Sequence, residues 1–157
     1  MRWLKIFLYF LAVLSLQTVV LARINLFGYV PDLVLVSVVA FAILNQPVPS
    51  IFFAAFGGLM QDLLGFALYL NTASKVTFSA LTETLKESFG GGEQMQALVL
   101  VALFTPFSVL INAWADFYFY SSSIGLAYIF LSVILTTLYN LAMVPLIYPI
   151  IKGLLHE

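Results

Sequence analysis

The chain has 157 residues, room for one domain, with 63% hydrophobic and only 8% charged residues, where soluble domains carry roughly 45–50% and about 25%. So little charge cannot cover the surface of a soluble fold, so the chain reads as an integral membrane protein, residues 1–157 forming a single integral-membrane domain. A net charge of −1 without a basic run argues against nucleic acid as a partner, and the lack of cysteine excludes disulfides, thiolate catalysis and cysteine-ligated metals.

The first element is the apolar run Trp3 to Ala22. Arg2 and Lys5 ahead of it imitate a signal peptide, but no small-residue cleavage pattern ends the run, and a retained membrane helix is expected. ARINLFGY follows as a turn. Pro31 opens a second segment, Asp32 to Leu44, with Asp32 suited to the positive end of a helix dipole. It is short for a span, and NQPVPS, with Pro47 and Pro49, breaks it. A third segment runs from Ser50 to Leu64 and a fourth from Leu68 to Phe89. GGGEQ (Gly90–Gln94) is a turn. The fifth, Met95 to Ala113, is kinked by Pro106, and ADFYFYSSS reads as an interfacial loop whose aromatics suit the headgroup level. The sixth, Ile124 to Ile151, holds Pro145 and Pro149 and should bend. His156, next to last, reads as a solvated tail.

Six spans put both termini on one side. Arg2, Lys5, Lys86 and Lys152 then face the cytoplasm and only Arg23 lies outside, which fits the positive-inside rule with N and C termini cytoplasmic. Segments two and three are alternatively one re-entrant hairpin.

Charges within such surroundings cost about 2.5–3.5 kcal/mol each on insertion scales. Asp62 and Lys75, with Asn71 beside them, are therefore expected to face inward, paired with each other or with a polar cavity. At about 100° per residue, Asn71, Lys75, Ser79, Thr82 and Lys86 share one third of the fourth helix, a stripe that faces protein or water. This intramembrane polar cluster is either a site for a proton, ion or small polar ligand, or interhelical glue. Gly57 and Gly58 line a path or let two helices approach closely. Asp116 is either a catalytic carboxylate or, the favoured reading, a solvated loop residue, Asn140 a helix–helix hydrogen bond or a broken transporter helix, and Glu83, Lys86 and Glu87 a solvated helix end with i,i+3 and i,i+4 pairing. No nucleophile motif, phosphate loop, metal spacing or carboxylate pair set for acid–base work is present, so no catalytic residue, metal or cofactor is expected.

PDLVLV (Pro31–Val36), GGLMQDLLG (Gly57–Gly65) and LNTASK (Leu70–Lys75), in this order, resemble the bacterial rod-shape-determining membrane protein family MreD. That family has a proline–aspartate opening a short helix, a glycine-rich third helix ending in G-L-x-x-D-L-L, then a small-residue turn and a helix with an early asparagine or serine–lysine pair. YNLAMVPLIYPII (Tyr139–Ile151) is similar to its terminal helix. The matching positions are Pro31, Asp32, Gly58, Asp62, Gly65, Asn71 and Lys75. Tyr69 stands where the family usually has glycine, and Ser79 and Leu81 where a glycine–aromatic pair is common.

The resemblance implies an all-α polytopic bundle of six transmembrane helices, similar to the substrate-binding subunit of energy-coupling-factor transporters. It implies a non-enzymatic inner-membrane subunit of the cell-elongation complex. Such a subunit binds the membrane helix of MreC and works indirectly with MreB, RodA and a class B penicillin-binding transpeptidase in side-wall peptidoglycan synthesis and cell shape. The rival expectation is a substrate-binding subunit of an energy-coupling-factor-type vitamin transporter, with a pocket around Asn71, Lys75 and Asp116.

Overall fold

A helix that is apolar on every side has no face to offer water, and it is buried. LVLVSVVAFAIL is such a sequence. In the computed structural model, which describes residues 2–21, 23, 28–65, 68–120 and 125–156, it forms the central helix of a bundle. All regular structure among the described residues is helical. Helix α1 (Arg2–Ser15) continues into a π-helical turn, Leu16–Leu21, and is followed by α2 (Leu33–Leu44) and α3 (Pro47–Gly65). Then come α4 (Leu70–Leu85) with a 3-10 turn at Lys86–Ser88, α5 (Glu93–Tyr120) and α6 (Leu126–His156). Of the 12 residues of α2, all but Leu44 are buried, and the other five helices all pack on it.

Four stretches are long and apolar enough to cross a membrane: Trp3–Leu21, Pro47–Gly65, Glu93–Phe119 and Leu126–His156. The 12-residue α2 is about 18 Å long at 1.5 Å per residue, well short of a hydrocarbon core of about 30 Å. The 16-residue α4 is also short, and polar along one side. The bundle is apolar outward and polar inward. Leu4 and Leu8 on α1, Phe52 on α3, Phe107 on α5 and Phe130 on α6 are exposed, while Lys75, Ser79, Thr82, Thr105 and Asn140 are buried. Exposed apolar surface on this scale suits lipid.

Aromatic rings tie the helices together. Phe10 of α1 stacks on Phe53 of α3 at 5.4 Å, Phe41 of α2 meets Phe53 edge-on at 5.1 Å, and Phe78 of α4 stacks on Phe104 of α5 at 4.8 Å. Near one end of the bundle Trp3 stacks on Phe53, Lys86 Nζ donates to the Ala42 carbonyl at 3.3 Å and Lys152 Nζ donates to Glu93 at 2.8 Å. The starts of α1, α3 and α5 and the ends of α2, α4 and α6 therefore lie together, and the segments alternate in direction.

Several boundaries differ from expectation. Ala115–Tyr120 is not loop but the last turn and a half of α5; no breaker interrupts it, and Trp114 stacks on Tyr118 one turn later at 5.5 Å. Ser121–Ser123 and Ile124 lie outside the described residues. Helix α3 starts at Pro47 rather than Ser50, because proline is tolerated in a first turn whose N–H groups have no helical partner. Helix α6 extends to His156, so that residue is an exposed last-turn position, not a tail. Of the expected ARINLFGY turn, Ala22 and residues 24–27 lie outside the described residues; Gly28 turns the chain at φ +85°. Helices α5 and α6 run on through Pro106, Pro145 and Pro149.

The link into α4 is strained. Tyr69, the position where the resembled family has glycine, has φ 59° and ψ 17°, left-handed backbone that costs an L-residue roughly 1–2 kcal/mol. Its ring is exposed and offsets little of that. Tyr69→Gly is expected to raise stability by about 1 kcal/mol, seen as a higher midpoint for unfolding in detergent; an unchanged or lower midpoint contradicts the strain.

Candidate functional site

The first N–H groups of any helix lack helical acceptors, and at the buried start of α2 water cannot supply them. Side chains from other segments do. Asp32 is the N-cap: its Oδ1 accepts from Leu35 N at 3.0 Å. Gln17, in the π-helical turn, accepts from Val34 N through Oε1 at 3.2 Å. Asn140 of α6 accepts from Asp32 N through Oδ1 at 2.7 Å, and its Nδ2 donates to Thr105 Oγ1 of α5 at 3.0 Å. Pro31, immediately before the cap, has no N–H to satisfy.

Asp32 is also where the buried lysine goes. Lys75 is fully buried, and its Nζ donates to Asp32 Oδ2 at 2.6 Å and to Asn71 Oδ1, one turn earlier on α4, at 3.1 Å. Gln61 of α3 donates through Nε2 to Asp32 Oδ1 at 3.0 Å. Asp62 and Lys75 both face inward, as expected, but of the two expected alternatives the pairing of one with the other does not occur: Lys75 is paired with Asp32, because the direction of α4 carries its side chain toward the α2 N-terminus. Every helix of the bundle thus sends a polar group to one point, and all but α5 reach Asp32 or the backbone next to it directly.

Asp62 has a different task. Its Oδ1 accepts from Asn71 N and Nδ2, both at 3.1 Å, and its Oδ2 accepts from Thr72 N at 2.8 Å and Thr72 Oγ1 at 2.6 Å. A carboxylate on α3 so caps the start of α4 from outside, placing negative charge at the positive dipole end. Tyr69, the residue preceding α4, makes no side-chain cap. Gly58, one turn before Asp62, makes the approach possible: a Cβ there would lie 2.6 Å from Thr72 Cα and 2.7 Å from the Asn71 carbonyl oxygen. At Gly57 a Cβ would meet Val34 Cγ1 at 2.9 Å. Both glycines are close-packing positions. A Cβ at Gly65 would meet nothing within 4 Å.

Beside the knot is a cavity of about 490 Å³, with Asp32, Gln61, Asn71, Thr105 and Asn140 at its polar floor and Gln17, Ser108, Asn112 and Thr136 among its walls. Gln61 Oε1 is buried without a hydrogen-bond partner, a state that costs about 1–3 kcal/mol. A second cavity of about 230 Å³ shares Val109, Asn112 and Thr136 with the first and continues to Ser132, Tyr29, Tyr128 and Asp116. Asp116 is exposed, as expected, though on a helix and not a loop. The sequence reading had singled out Asn140 and Asp116 but not the ladders that hold them. Thr105, Ser108, Asn112 and Asp116 on α5, and Ser132, Thr136 and Asn140 on α6, recur at three or four residues; this spacing in apolar helices was the available signal. Gln17 and Gln61 gave none, being single amides in apolar runs.

At the far end of α2, Lys86 serves the C-terminus. It donates to the Ala42 carbonyl and pairs with Glu83 at 2.7 Å, a cation at the negative dipole end. Glu83 and Lys86 are thus partly buried and not fully solvated, while Glu87 is exposed as expected, and the i,i+3 pairing of Glu83 with Lys86 is as expected. Among the described residues no group of three or more histidines or carboxylates is arranged to hold a metal. Both carboxylates of the cluster, Asp32 and Asp62, have all their oxygens engaged by donors. No family model matches the sequence, and neither a curated protein nor a solved structure matches it.

Asp62→Leu removes four hydrogen bonds at about 1 kcal/mol each and is expected to lower stability by about 2–4 kcal/mol, measured by denaturant titration of the purified protein in detergent. Asp62→Asn, which keeps one acceptor oxygen, should lose about half as much. Equal, small effects of both would show that the α3–α4 contact does not depend on the carboxylate.

Proposed function

We propose that this chain is a non-enzymatic, multi-pass subunit of the bacterial cell-elongation complex of the MreD kind, holding the membrane helix of MreC and so helping to organise side-wall peptidoglycan synthesis. One observation carries the reading. PDLVLV lies well before GGLMQDLLG and LNTASK, which are near neighbours in sequence, and the polar residues of the three stretches, Asp32, Asp62, Asn71 and Lys75, make one hydrogen-bonded knot. The engagement of both carboxylates supports a role in architecture over one in catalysis.

In this reading α2 and α4 count with the four long helices as six membrane segments, with both termini in the cytoplasm of an inner-membrane protein. Lys86 and Lys152 then lie at the cytoplasmic end and Arg23 at the opposite end, as the positive-inside rule favours. The bundle of six segments is of the kind used by the binding subunits of energy-coupling-factor transporters. The MreC helix seats against the groove of Trp3, Val48, Pro49, Phe52 and Phe53, about 310 Å³ and without a polar group. Membrane helices associate by close packing, and exposed Phe52 is the natural knob. MreB, RodA and the class B transpeptidase are reached through MreC.

The tagged chain, solubilised from its native membrane in mild detergent, is expected to bring down MreC, with the elongation synthases in smaller amounts. Phe52→Ala should cut MreC recovery about tenfold, equivalent to the loss of about 1.4 kcal/mol. Recovery of an ATPase pair with a transmembrane coupling subunit instead of MreC would make the chain a transporter component.

A further inference from the structure

The cavity over the Asp32 knot has no place in a purely mechanical scaffold. Filling the centre of a membrane bundle with apolar side chains is simpler than lining 490 Å³ with amides and hydroxyls, since a buried polar group without a partner is unfavourable. Here the lining draws Gln61 and Asn71 from the α3–α4 side and Ser108, Asn112 and Thr136 from the facing ladders of α5 and α6. The Gln61 carbonyl oxygen stays buried and unpartnered. A volume of this size is that of ordinary small-molecule sites. We propose that the cavity binds an uncharged small molecule rich in hydroxyl or amide groups, entering from the side of Asp116.

The electrostatics select the class. Among the described residues no lysine, arginine or histidine lines the cavity, and Asp32 is the one carboxylate that does. That carboxylate is already matched by Lys75 at 2.6 Å and bonded by Leu35 N and Gln61. An anion would find no counter-charge and would pass Asp116 on the way in. A cation would find only a carboxylate whose charge is spent. An uncharged ligand with several donors and acceptors is what amides and hydroxyls recognise. Tyr29 and Tyr128, whose rings lie 5.6 Å apart beside Asp116 in the outer cavity, give a ring or chain an apolar rim. Both a free polyol, sugar or amide and the headgroup of an uncharged glycolipid have this chemistry.

The proposal is independent of partner docking: co-purification of MreC reports on the scaffold reading, and ligand mass reports on this one. The full chain, purified in detergent from its native membrane, is weighed intact by native mass spectrometry, as isolated and after incubation with millimolar myo-inositol, N-acetylglucosamine or nicotinamide. A bound uncharged mass is expected, with at least tenfold lower occupancy in Asn112→Leu and Thr136→Leu. Because the chain has no cysteine, Ser108→Cys gives a single thiol, and capping it with a methanethiosulfonate reagent in the folded protein should abolish binding without any question of folding. Extraction into chloroform identifies a lipid source, and retention in water a free one. Polypeptide mass alone under every condition, an adduct that survives the capped thiol, or an anionic adduct would each overturn the proposal.

Discussion

A helix end enclosed by other helices presents backbone N–H groups that neither water nor lipid can satisfy, and each is worth several kcal/mol if left unpaired. Helix α2 has this problem in acute form: about 18 Å long by its residue count, and buried over 11 of its 12 residues. Its start is closed by Asp32 acting as cap, by Gln17 and by Asn140. A capping carboxylate in such a place needs a counter-charge, and Lys75 supplies it at 2.6 Å. The pair is a consequence of the short helix, and most of the other buried polar contacts are consequences of the pair.

Lys75 reaches Asp32 only if α4 stands at the right height and rotation against α3 and α2. Gly58 lets α4 come within backbone contact of α3, and Asp62 holds it there by gripping the N–H groups of Asn71 and Thr72. Asn71 then bonds to both carboxylate systems, to Asp62 through Nδ2 and to Lys75 through Oδ1, so the α3–α4 clamp and the α2 cap are one network. The opposite end of α2 is closed by Lys86 on the Ala42 carbonyl. Negative charge at the start and positive charge at the end complement the dipole of α2. The cavity sits where the network ends. Beyond Asn140 the side chains of Asn112 on α5 and Ser132 on α6 bond back to their own helix backbones, not across to the other helix.

Much of this was legible in the residues. An all-round apolar LVLVSVVAFAIL between Asp32 and NQPVPS announces a short buried helix, and a polar stripe from Asn71 to Lys86 announces a helix facing protein. Gly57 and Gly58 mark close approach. The partner of Lys75 was not legible, because Asp32 and Asp62 are equally acidic in sequence and only the rotation of α4 decides between them. Gln17 and Gln61 carry no periodic signal, since each meets its acceptor or donor through tertiary packing. Tyr69 was visible as a departure from glycine, but its left-handed backbone depends on how α3 hands over to α4. The loop expected at Ala115–Tyr120 failed because clustered aromatics at helical spacing extend α5 as readily as they fill an interfacial turn.

The most direct test of the central pair is a double-mutant cycle on Asp32→Asn and Lys75→Met, with unfolding measured in detergent. Asparagine keeps the capping oxygen for Leu35, so the cycle isolates the charge interaction. Each single change leaves one buried charge alone and should cost about 3–5 kcal/mol. The double variant should be more stable than the sum of the two by at least about 1–3 kcal/mol. Additive effects of the two substitutions would contradict the pairing of Lys75 with Asp32 and, with it, the closure of α2 from which the rest of the bundle follows.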